Sequence, residues 1–296
     1  MNLSKVSVVI PAHNEGENLI DTVGCILENT VYPDFEIIVV DDGSTDGSGD
    51  RVADSFGAKG RVSVVRAAGL GVAGARNLGA QWASGEILVF LDGHCYTPPG
   101  WMTALIAPLG DPQVGIVGPS FASLHEGNGA RGFGATWRDA SLEIEWLPQR
   151  GDEPYPLPLL PGGCHAMRRS DFEKIGYYDS GMTRWGSEDQ ELSLRAWLMG
   201  YQVVVQPQAI IYHLFRKRHP YQVDASQVLY NRLRMALLHL REERVARVID
   251  YYKCTHGFAQ IIIWLLQSDV MDRRRQFQEM RCRDDNWFFA RFGCQI

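Results

Sequence analysis

The sequence predicts an α/β protein in which helices cover both faces of a mostly parallel sheet. Four short apolar segments, at residues 6–10, 36–40, 61–65 and 86–91, alternate with segments whose apolar residues recur at helical spacing. Alternating strands and helices of this kind form parallel sheets, because each crossover helix packs back onto the sheet. The last of these segments has five consecutive apolar residues, which indicates a strand that is buried on both faces.

The composition excludes several classes of protein. The chain has 296 residues, of which 45% are hydrophobic and 22% charged, as is ordinary for a globular domain and not for a disordered chain. Its formal charge of -6 argues against a nucleic-acid binder. The six cysteines lack any paired C-x-x-C spacing, so we expect reduced thiols and neither a zinc site nor a thioredoxin motif.

The amino-terminal residues and the longest apolar run indicate the cellular location that we expect. The amino terminus has no basic-then-apolar signal pattern, and the longest apolar run, 261–266, is far shorter than the roughly 20 residues that span a bilayer. We therefore expect a cytoplasmic protein without a transmembrane segment. Peripheral membrane contact through the tail stays open, as does the oligomeric state.

The second half of the chain is less regular than the first. The spacing Ser187-Glu188-Asp189-Gln190 is that of a capping box and predicts a helix that runs to Gly200. The other predicted elements are a helix at 101–107, a short strand at 114–117, a glycine-rich stretch at 127–134, an extended proline-rich loop at 154–161, two short strands at 203–205 and 209–212, and a largely helical region from 220 to 281.

Asp92 and His94 follow the buried strand directly, at the edge where open α/β sheets bind ligands. Being two residues apart, they can face one metal ion, while Gly93 lets the backbone approach closely. A strand followed by Asp-Gly is also a common turn, so both interpretations stay open at this point. Far along the chain, His213 ends another strand, and cations with Tyr221 follow it in a segment that can clamp a pyrophosphate.

Three further positions allow both a functional and a structural interpretation. Asp42 ends the second strand, where its carboxylate can accept hydrogen bonds from a base N–H or a ribose hydroxyl of a ligand. The structural alternative is a carboxylate that caps the turn. Arg76 lies one turn into a helix, where it can meet a phosphate or solvent. Glu188 and Asp189 lie in the first turn of a helix, where the helix dipole favours acids whatever the function.

Gly69-Leu-Gly71-Val-Ala-Gly74 fits the G-x-G-x-x-G pattern of dinucleotide-binding folds, and Asp92 lies 18 residues beyond it. That pattern normally follows the first strand of the sheet. Here the first turn is Pro11-Ala-His-Asn-Glu15, which lacks a glycine that could cradle a pyrophosphate. An NAD-dependent oxidoreductase is therefore kept as an alternative.

Taken together, the motifs resemble the GT-A glycosyltransferases of family 2. The matching segments are Val8-Val-Ile-Pro-Ala-His-Asn-Glu15, Val40-Asp-Asp-Gly-Ser44, Gly74-Ala-Arg-Asn77 and Leu91-Asp-Gly-His94. More specifically, the chain is similar to the catalytic domain of polypeptide N-acetylgalactosaminyltransferases. The residues that carry this similarity are Leu91-Asp-Gly-His-Cys95 with Trp101, Gly162-Gly163, Tyr178-Asp179, Trp185-Gly-Ser-Glu188 with Leu192 and Arg195, His213-Leu-Phe-Arg-Lys-Arg-His-Pro-Tyr221, and the tail Arg281-Cys-Arg with Trp287-Phe-Phe.

The resemblance implies a GT-A fold with a Rossmann-like sheet, a smaller acceptor-side mixed sheet and a helical tail. It implies one catalytic domain over 1–296, with a nucleotide-binding half (1–97), an acceptor and metal half (98–221) and a helical extension (222–296). It also implies a UDP-sugar donor and a hydroxyl or thiol acceptor on a peptide, protein or glycan. Such transferases normally carry a membrane anchor and a lectin domain as well, and we expect this chain to be a free-standing relative.

The resemblance further assigns roles to single residues. Asp92, His94 and His213 would hold Mn²⁺, with Mg²⁺ as the alternative. The residues implied to bind the donor are Pro11, Ala12, His13, Glu15, Asp42, Arg76, Asp92, Gly93, Gly162, Gly163, Trp185, Arg216, His219 and Tyr221.

Two departures from the family pattern matter. Ala68-Gly-Leu70 stands where those transferases tend to be arginine-rich, and Asp189 stands where the retaining family has an asparagine. Inversion needs a base on the acceptor side. Family 2 enzymes are inverting and use the aspartate of a similar Glu-Asp pair, so the resemblance implies that Glu188 and Asp189 are catalytic and favours an inverting enzyme with Asp189 as base. A retaining enzyme like the GalNAc-transferases, and a non-catalytic sugar-nucleotide-binding regulator, are the alternatives.

Overall fold

The computed structural model describes residues 4–124, 131–216, 220–294 and 296. These residues form eleven strands and eleven α-helices. In chain order the strands are β1 Val6–Ala12, β2 Phe35–Asp42, β3 Val62–Ala67, β4 Ile87–Leu91, β5 Cys95–Tyr96, β6 Val114–Ser123, β7 Ala135–Trp137, β8 Ile144–Trp146, β9 Tyr155–Pro156, β10 Cys164–Arg168 and β11 Gln202–His213. The helices are α1 Glu17–Asn29, α2 Ser48–Phe56, α3 Gly71–Trp82, α4 Trp101–Ile106, α5 Arg169–Lys174, α6 Glu188–Leu198, α7 Ala225–His239, α8 Glu242–Tyr252, α9 Phe258–Gln267, α10 Val270–Met280 and α11 Asp285–Phe292.

The main sheet has the strand order β3-β2-β1-β4-β10-β6-β11-β5, and β9 pairs with the outer part of it through β11. The first four strands are parallel, as the alternation of apolar segments predicts, and β6 is parallel to β11. Strand β10 runs antiparallel between β4 and β6. This reversal places the start of β10, and the two glycines before it, beside the carboxyl end of β4.

Helices cover both faces of the sheet, which confirms the predicted fold class. Along β1, Val8 and Ile10 pack into an apolar cluster with α1 and α4, whereas Val9 packs into a second cluster with α3, α6 and α7. Successive side chains of a strand point to opposite faces, so a continuous apolar strand fills both layers. The sheet is therefore the middle layer of three.

A smaller second sheet and a helical tail complete the fold, as predicted, although the second sheet is antiparallel and not mixed. The smaller sheet is a two-stranded antiparallel ribbon of β7 and β8. In the tail, α7 contacts α6, α8, α9 and α10, and α11 returns to α6. Within the described part of the chain, none of the helices combines the length and the apolar character that crossing a membrane requires.

The structure corrects two details of the predicted elements. The two short strands predicted between 203 and 212 are one strand, β11, whose pairing with β6 shifts between Gln206 and Ile210. Pro207 lies at this irregularity, and the buried hydroxyl of Ser120 donates to its carbonyl oxygen at 3.1 Å. Strand β6 likewise extends to Ser123 because its partner continues. Part of the predicted glycine-rich stretch, 127–130, lies outside the described residues.

The predicted capping box at the start of α6 is wrong. Ser187 has a φ of 66°, in the left-handed region, and its side chain makes no capping hydrogen bond. Instead the carboxylate of Glu188 accepts from the backbone N–H of Gly186 at 3.0 Å. The loop before the helix turns sharply, so the serine cannot reach forward as an ordinary cap does.

Glu36 ties the beginning of the sheet together. Its carboxylate accepts from the hydroxyl of Ser7 at 2.7 Å, from the backbone N–H of Ser84 at 2.7 Å and from the ammonium of Lys5 at 3.1 Å. Burial alone would raise the pKa of Glu36, but these donors lower it from 4.5 to about 2. In the folded state the charged carboxylate of Glu36 therefore links β2 to the chain around Lys5 and Ser7 and to the chain at Ser84.

We predict that Glu36→Gln lowers the free energy of unfolding by about 1–2 kcal/mol at pH 7. Because the folded pKa is depressed, wild type gains stability from this group above pH 4.5 and loses it as the pH falls towards 2. Urea unfolding of both proteins across this range measures the difference, with Glu28→Gln on the exposed side of α1 as control. A difference that stays constant down to pH 2 would contradict the assignment.

Candidate metal centre and active site

A cleft of about 710 Å³ opens at the edge of the sheet where β1, β2 and β4 end. Parallel strands that end together bring their following residues to one place, although the sequence separates them widely. The residues predicted for the site that line this cleft are Pro11, Ala12, His13, Glu15, Asp42, Arg76, Asp92, Gly93, His94, Gly162, Gly163, Trp185, Glu188, Asp189, His213, Arg216 and Tyr221. His219 lies outside the described residues.

Asp92, His94 and His213 form a cluster in this cleft. One ligand atom from each lies within 4.8 Å of those of the other two. Strand β5 pairs antiparallel with β11, with Cys95 opposite His213, so the rings of His94 and His213 come to 4.7 Å between centroids. A carboxylate with two imidazoles is a donor set that suits a divalent transition metal. The cluster is therefore a candidate metal centre.

The protonation states suit a metal centre as well. Burial opposes the charge on Asp92, but the nearby imidazole of His213 and the charge of Arg76 hold its pKa well below the ordinary range. Burial lowers the pKa of His213, and the nearby Asp92 only partly offsets this. Metal ligands must be ionised carboxylates and neutral imidazoles, and these shifts favour that state for Asp92 and His213 at neutral pH.

Arg76 lies behind the cluster with an exposed side-chain fraction of 1%. Its guanidinium donates to Asp92 at 2.9 Å, to Glu188 at 2.9 Å and to the carbonyl oxygen of Gly162 at 2.7 Å. Burying a charge is costly unless it is paired and hydrogen-bonded, and here three partners from three segments bind the two terminal nitrogens, while Nε has no hydrogen-bond partner among the described residues. Arg76 therefore joins β4, α6 and the glycine turn before β10. Direct contact between Arg76 and a donor phosphate stays a prediction.

The two acids at the start of α6 lie in different surroundings. Both oxygens of Glu188 are occupied, one by Arg76 and the other by the N–H of Gly186. Asp189 accepts from the backbone N–H of Gln190 at 2.9 Å and forms no ion pair within the described residues. Burial, together with the negative charge of Glu188, raises the pKa of Asp189 to about 7. Of the two, Asp189 is thus the carboxylate that is poised to take up a proton near neutral pH.

The glycines of the G-x-G-x-x-G pattern have a packing role. Asp42 accepts from the backbone N–H groups of Leu70 at 2.7 Å and Gly71 at 2.8 Å. A Cβ on Gly71 would lie 2.8 Å from the backbone of Arg184, whose carbonyl oxygen accepts from Val72. The amide groups that would cradle a pyrophosphate are therefore already bound within the protein. The structure therefore does not support the use of this pattern to bind a dinucleotide, as the alternative of an NAD-dependent oxidoreductase would require.

The loop after β1 approaches the end of β2 and the segment after β11. His13 hydrogen-bonds through Nδ1 to the carbonyl oxygen of Asp42 at 2.8 Å, and the ring of Tyr221 meets His13 edge-on at 5.3 Å between centroids. Glu15, close by, contacts both His94 and Arg216. The predicted residues of this region thus surround one end of the cleft, next to the candidate metal centre.

An aromatic wall, made of Phe121, Trp146 and Phe215, was not predicted from the sequence. Trp146 packs against Phe121 at 5.8 Å and against Phe215 at 5.9 Å between ring centroids. Trp146 and Phe215 are exposed by 39% and 45%. In the sequence these residues are isolated aromatics, which look the same as core residues. Gly132 offers a weak signal in retrospect, because a Cβ there would lie 2.2 Å from the ring of Trp146.

Two family models match the chain. One, described as glycosyl transferase family 2, matches residues 7–176, and one described as the N-terminal domain of galactosyltransferase matches residues 149–219. The first therefore covers more than half of the chain.

Curated relatives match over nearly the whole chain. Polypeptide N-acetylgalactosaminyltransferase 3 of Taeniopygia guttata is 30% identical, over 97% of this chain and 50% of that protein. Polypeptide N-acetylgalactosaminyltransferase 12 of Mus musculus is 31% identical, over 97% of this chain and 51% of that protein. The chain thus spans about half the length of these relatives.

Solved structures agree with the fold. GalNAc-T7, crystallised with UDP, GalNAc and Mn²⁺, is 25% identical with a TM-score of 0.81, over 99% of this chain and 57% of that one. The mannosyltransferase PcManGT from Pyrobaculum calidifontis, solved with GDP-Man and Mn²⁺, has a TM-score of 0.59 at 19% identity, over 97% of this chain and 85% of that one. This second likeness is one of fold alone.

We predict that Arg76→Met lowers the free energy of unfolding by about 3–5 kcal/mol, because Asp92 and Glu188 keep their buried charges without a partner. Urea unfolding measures the loss, and Arg61→Met, which removes an exposed arginine, serves as control. Adding Glu188→Gln to Arg76→Met should recover part of the loss. A loss no larger than that of the control would contradict the organising role of Arg76.

Proposed function

Since the chain belongs to the glycosyl transferase family 2, we propose that it is a metal-dependent transferase acting on a UDP-sugar. The sugar is a hexose or an N-acetylhexosamine, and the acceptor is a hydroxyl group. The observation that carries this proposal is the cluster of Asp92, His94 and His213 in a cleft at the carboxyl edge of a GT-A sheet, which Asp42 also lines. The chain has the GT-A fold of GalNAc-T7.

The metal of the proposal is Mn²⁺, with Mg²⁺ as the alternative. Asp92, His94 and His213 would hold it, and the mixed oxygen and nitrogen donors fit such an ion. A divalent cation at this place would neutralise the charge of the leaving diphosphate. GalNAc-T7 was crystallised with Mn²⁺ and UDP together, which supports the same pairing here.

The donor is proposed to lie along the cleft from Asp42 to α6. Pro11, Ala12 and His13 would flank the uridine with Asp42, next to the end of β2. Gly162 and Gly163 would lie under the sugar. A Cβ on Gly163 would come within 3.0 Å of both Phe121 and His213, so the glycine lets these two side chains pack directly against the backbone. The remaining residues proposed to contact the donor are Glu15, Arg76, Asp92, Gly93, Trp185, Arg216, His219 and Tyr221.

The acceptor is proposed to be a peptide or protein, with a glycan and a thiol acceptor as the alternatives. The named activity of the curated relatives supports a peptide. Three exposed rings line the cleft, those of Trp146 and Phe215 in the aromatic wall and that of Trp185 before α6. Such rings pack on apolar side chains and on sugar faces alike, so they agree with either acceptor class.

Asp189 is proposed to act as the general base of an inverting transfer. Of the two acids it is the one outside the ion pair with Arg76, and its raised pKa suits a base that works near neutral pH. The alternative is retention, with the leaving phosphate as proton acceptor, and the likeness to GalNAc-transferases supports that alternative. The stereochemistry of the product distinguishes the two.

We predict that Mn²⁺ and UDP together raise the melting temperature of wild type by about 5 °C or more at saturation. Asp92→Asn should abolish this shift, because it removes the charged ligand. Differential scanning fluorimetry with Mn²⁺, with UDP and with both provides the measurement. Asp54→Asn, on the exposed face of α2, should respond as wild type does. A wild-type protein that shows no shift would count heavily against the donor site.

We further predict that Asp189→Asn lowers kcat by about 10²–10⁴-fold and leaves the KM for the donor nearly unchanged. Because the base must be deprotonated, kcat of wild type should rise with pH through about 7, and the variant should lose this limb. Release of UDP from UDP-GlcNAc and UDP-GalNAc with Ser, Thr and Cys peptides is the assay. A product that keeps the anomeric configuration of the donor, read from its proton NMR coupling, would remove Asp189 as base.

A further inference from the structure

Glu15 is a buried carboxylate in the turn between β1 and α1, next to the candidate metal centre. Its side chain is exposed by 7%, and its oxygen Oε2 lies 3.2 Å from Nδ1 of His94. The same oxygen pairs with the guanidinium of Arg216, which follows β11. The carboxylate of Glu15 thus contacts His94, a predicted metal ligand, and Arg216, which closely follows the predicted ligand His213.

Gly93 makes room for this carboxylate. A Cβ on Gly93 would lie 3.1 Å from Cγ of Glu15 and 3.6 Å from its Cδ, so a side chain there would crowd Glu15. The glycine of the Asp-Gly-His motif was expected to let the backbone approach a ligand. The packing shows that the glycine also leaves room for the side chain of Glu15 to reach Nδ1 of His94.

The charge of Glu15 agrees with a hydrogen-bond acceptor at this place. The guanidinium of Arg216 pairs with the same oxygen that faces Nδ1 of His94, as a guanidinium does with an ionised carboxylate. An ionised carboxylate can only accept, so the proton between the two groups resides on Nδ1 of His94. The other ring nitrogen, Nε2, then keeps its lone pair for a metal ion.

The second histidine of the cluster is held differently. His213 is the last residue of β11, where the sheet fixes its backbone, and its Nε2 lies 3.7 Å from Asp92. Among the described residues, Nδ1 of His213 is buried and has no hydrogen-bond partner. His94, by contrast, lies in the turn between β4 and β5, outside both strands. A turn residue needs side-chain support, and Glu15 supplies it.

We propose that Glu15 is a positioning residue, which fixes the ring and tautomer of His94 for metal binding and anchors Arg216 beside the metal centre. This inference rests on the proposed function, because it assumes that the cluster binds a metal ion. It adds to the three predicted ligands a residue that does not itself touch the metal. Carboxylates behind ligating histidines typically contribute 10–100-fold to metal affinity.

The first test reads the tautomer of His94 without any metal. Imidazole ¹⁵N–¹H correlation spectra of the labelled, metal-free protein, at a pH where the ring is neutral, report which nitrogen carries the proton, and His94→Asn assigns the signal. Wild type should show the proton on Nδ1. Glu15→Ala should shift the ring towards the Nε2–H tautomer, and Glu15→Gln, which keeps an acceptor oxygen, should shift it less. An unchanged tautomer in Glu15→Ala would overturn the proposal.

The second test measures Mn²⁺ binding in the absence of a donor, by the electron paramagnetic resonance signal of free Mn²⁺. Glu15→Ala should weaken binding by about 10–100-fold, with Glu15→Gln between it and wild type. The matched control is Glu17→Gln, because Glu17 lies two residues away with a side chain exposed by 77%. This control should bind Mn²⁺ as wild type does.

The outcomes separate this inference from the proposed function. If wild type binds no Mn²⁺, the proposed function fails, while the tautomer of His94 still tests the role of Glu15. If wild type binds Mn²⁺ and both Glu15 variants bind it equally well, the positioning role is wrong and the metal centre stands. Should Glu15→Ala fail to fold, Glu15→Gln carries the comparison, since it preserves the volume of the side chain.

Discussion

The buried guanidinium of Arg76 is the interaction on which the rest of the site depends. It brings together Asp92 after β4, Glu188 at the start of α6 and the carbonyl oxygen of Gly162 before β10. A buried cation with these partners holds all three in place, because losing any one of them leaves a charge or a dipole without compensation. Arg76 thereby fixes the candidate metal ligand Asp92 relative to Glu188, which is the chain neighbour of the proposed base Asp189.

The antiparallel strand in the middle of the sheet makes this arrangement possible. Because β10 reverses direction beside β4, the glycines that precede it meet the residue that follows β4, and Asp92 donates its N–H to Gly163 at 3.0 Å. The loop before α6 is held in a similar way, since Val72 at the start of α3 donates to Arg184. Backbone hydrogen bonds across distant segments therefore shape the cleft before any ligand enters it.

Within the cleft, three acidic residues have different roles because their surroundings differ. Glu188 is neutralised by Arg76 and serves the architecture, whereas its neighbour Asp189 lies outside that ion pair and holds its proton more tightly. Glu15 is a third case, since its charge is maintained by His94 and Arg216. Acids whose environments push their pKa values apart are the usual basis of divided chemical roles in an active site. Our proposal for the base follows from this division, whereas our proposal for the positioning of His94 follows from the contacts of Glu15 with His94 and Arg216.

The sequence by itself determined the α/β class, the first four strands with their helices, the helical tail and the polar residues of the candidate metal centre, but not Arg184, Gln190, Gln227 and Arg232, which also line the cleft. The features that it determined follow from apolar periodicity and from motifs at strand ends, which are local properties. The tertiary structure decided what a one-dimensional pattern does not contain. It joined the two segments of β11, removed the capping box at Ser187, explained Gly71 by its contact with Arg184 and placed Trp146 on an exposed wall. It also turned Arg76 inward, because the buried acids that attract it lie 16 and 112 residues away.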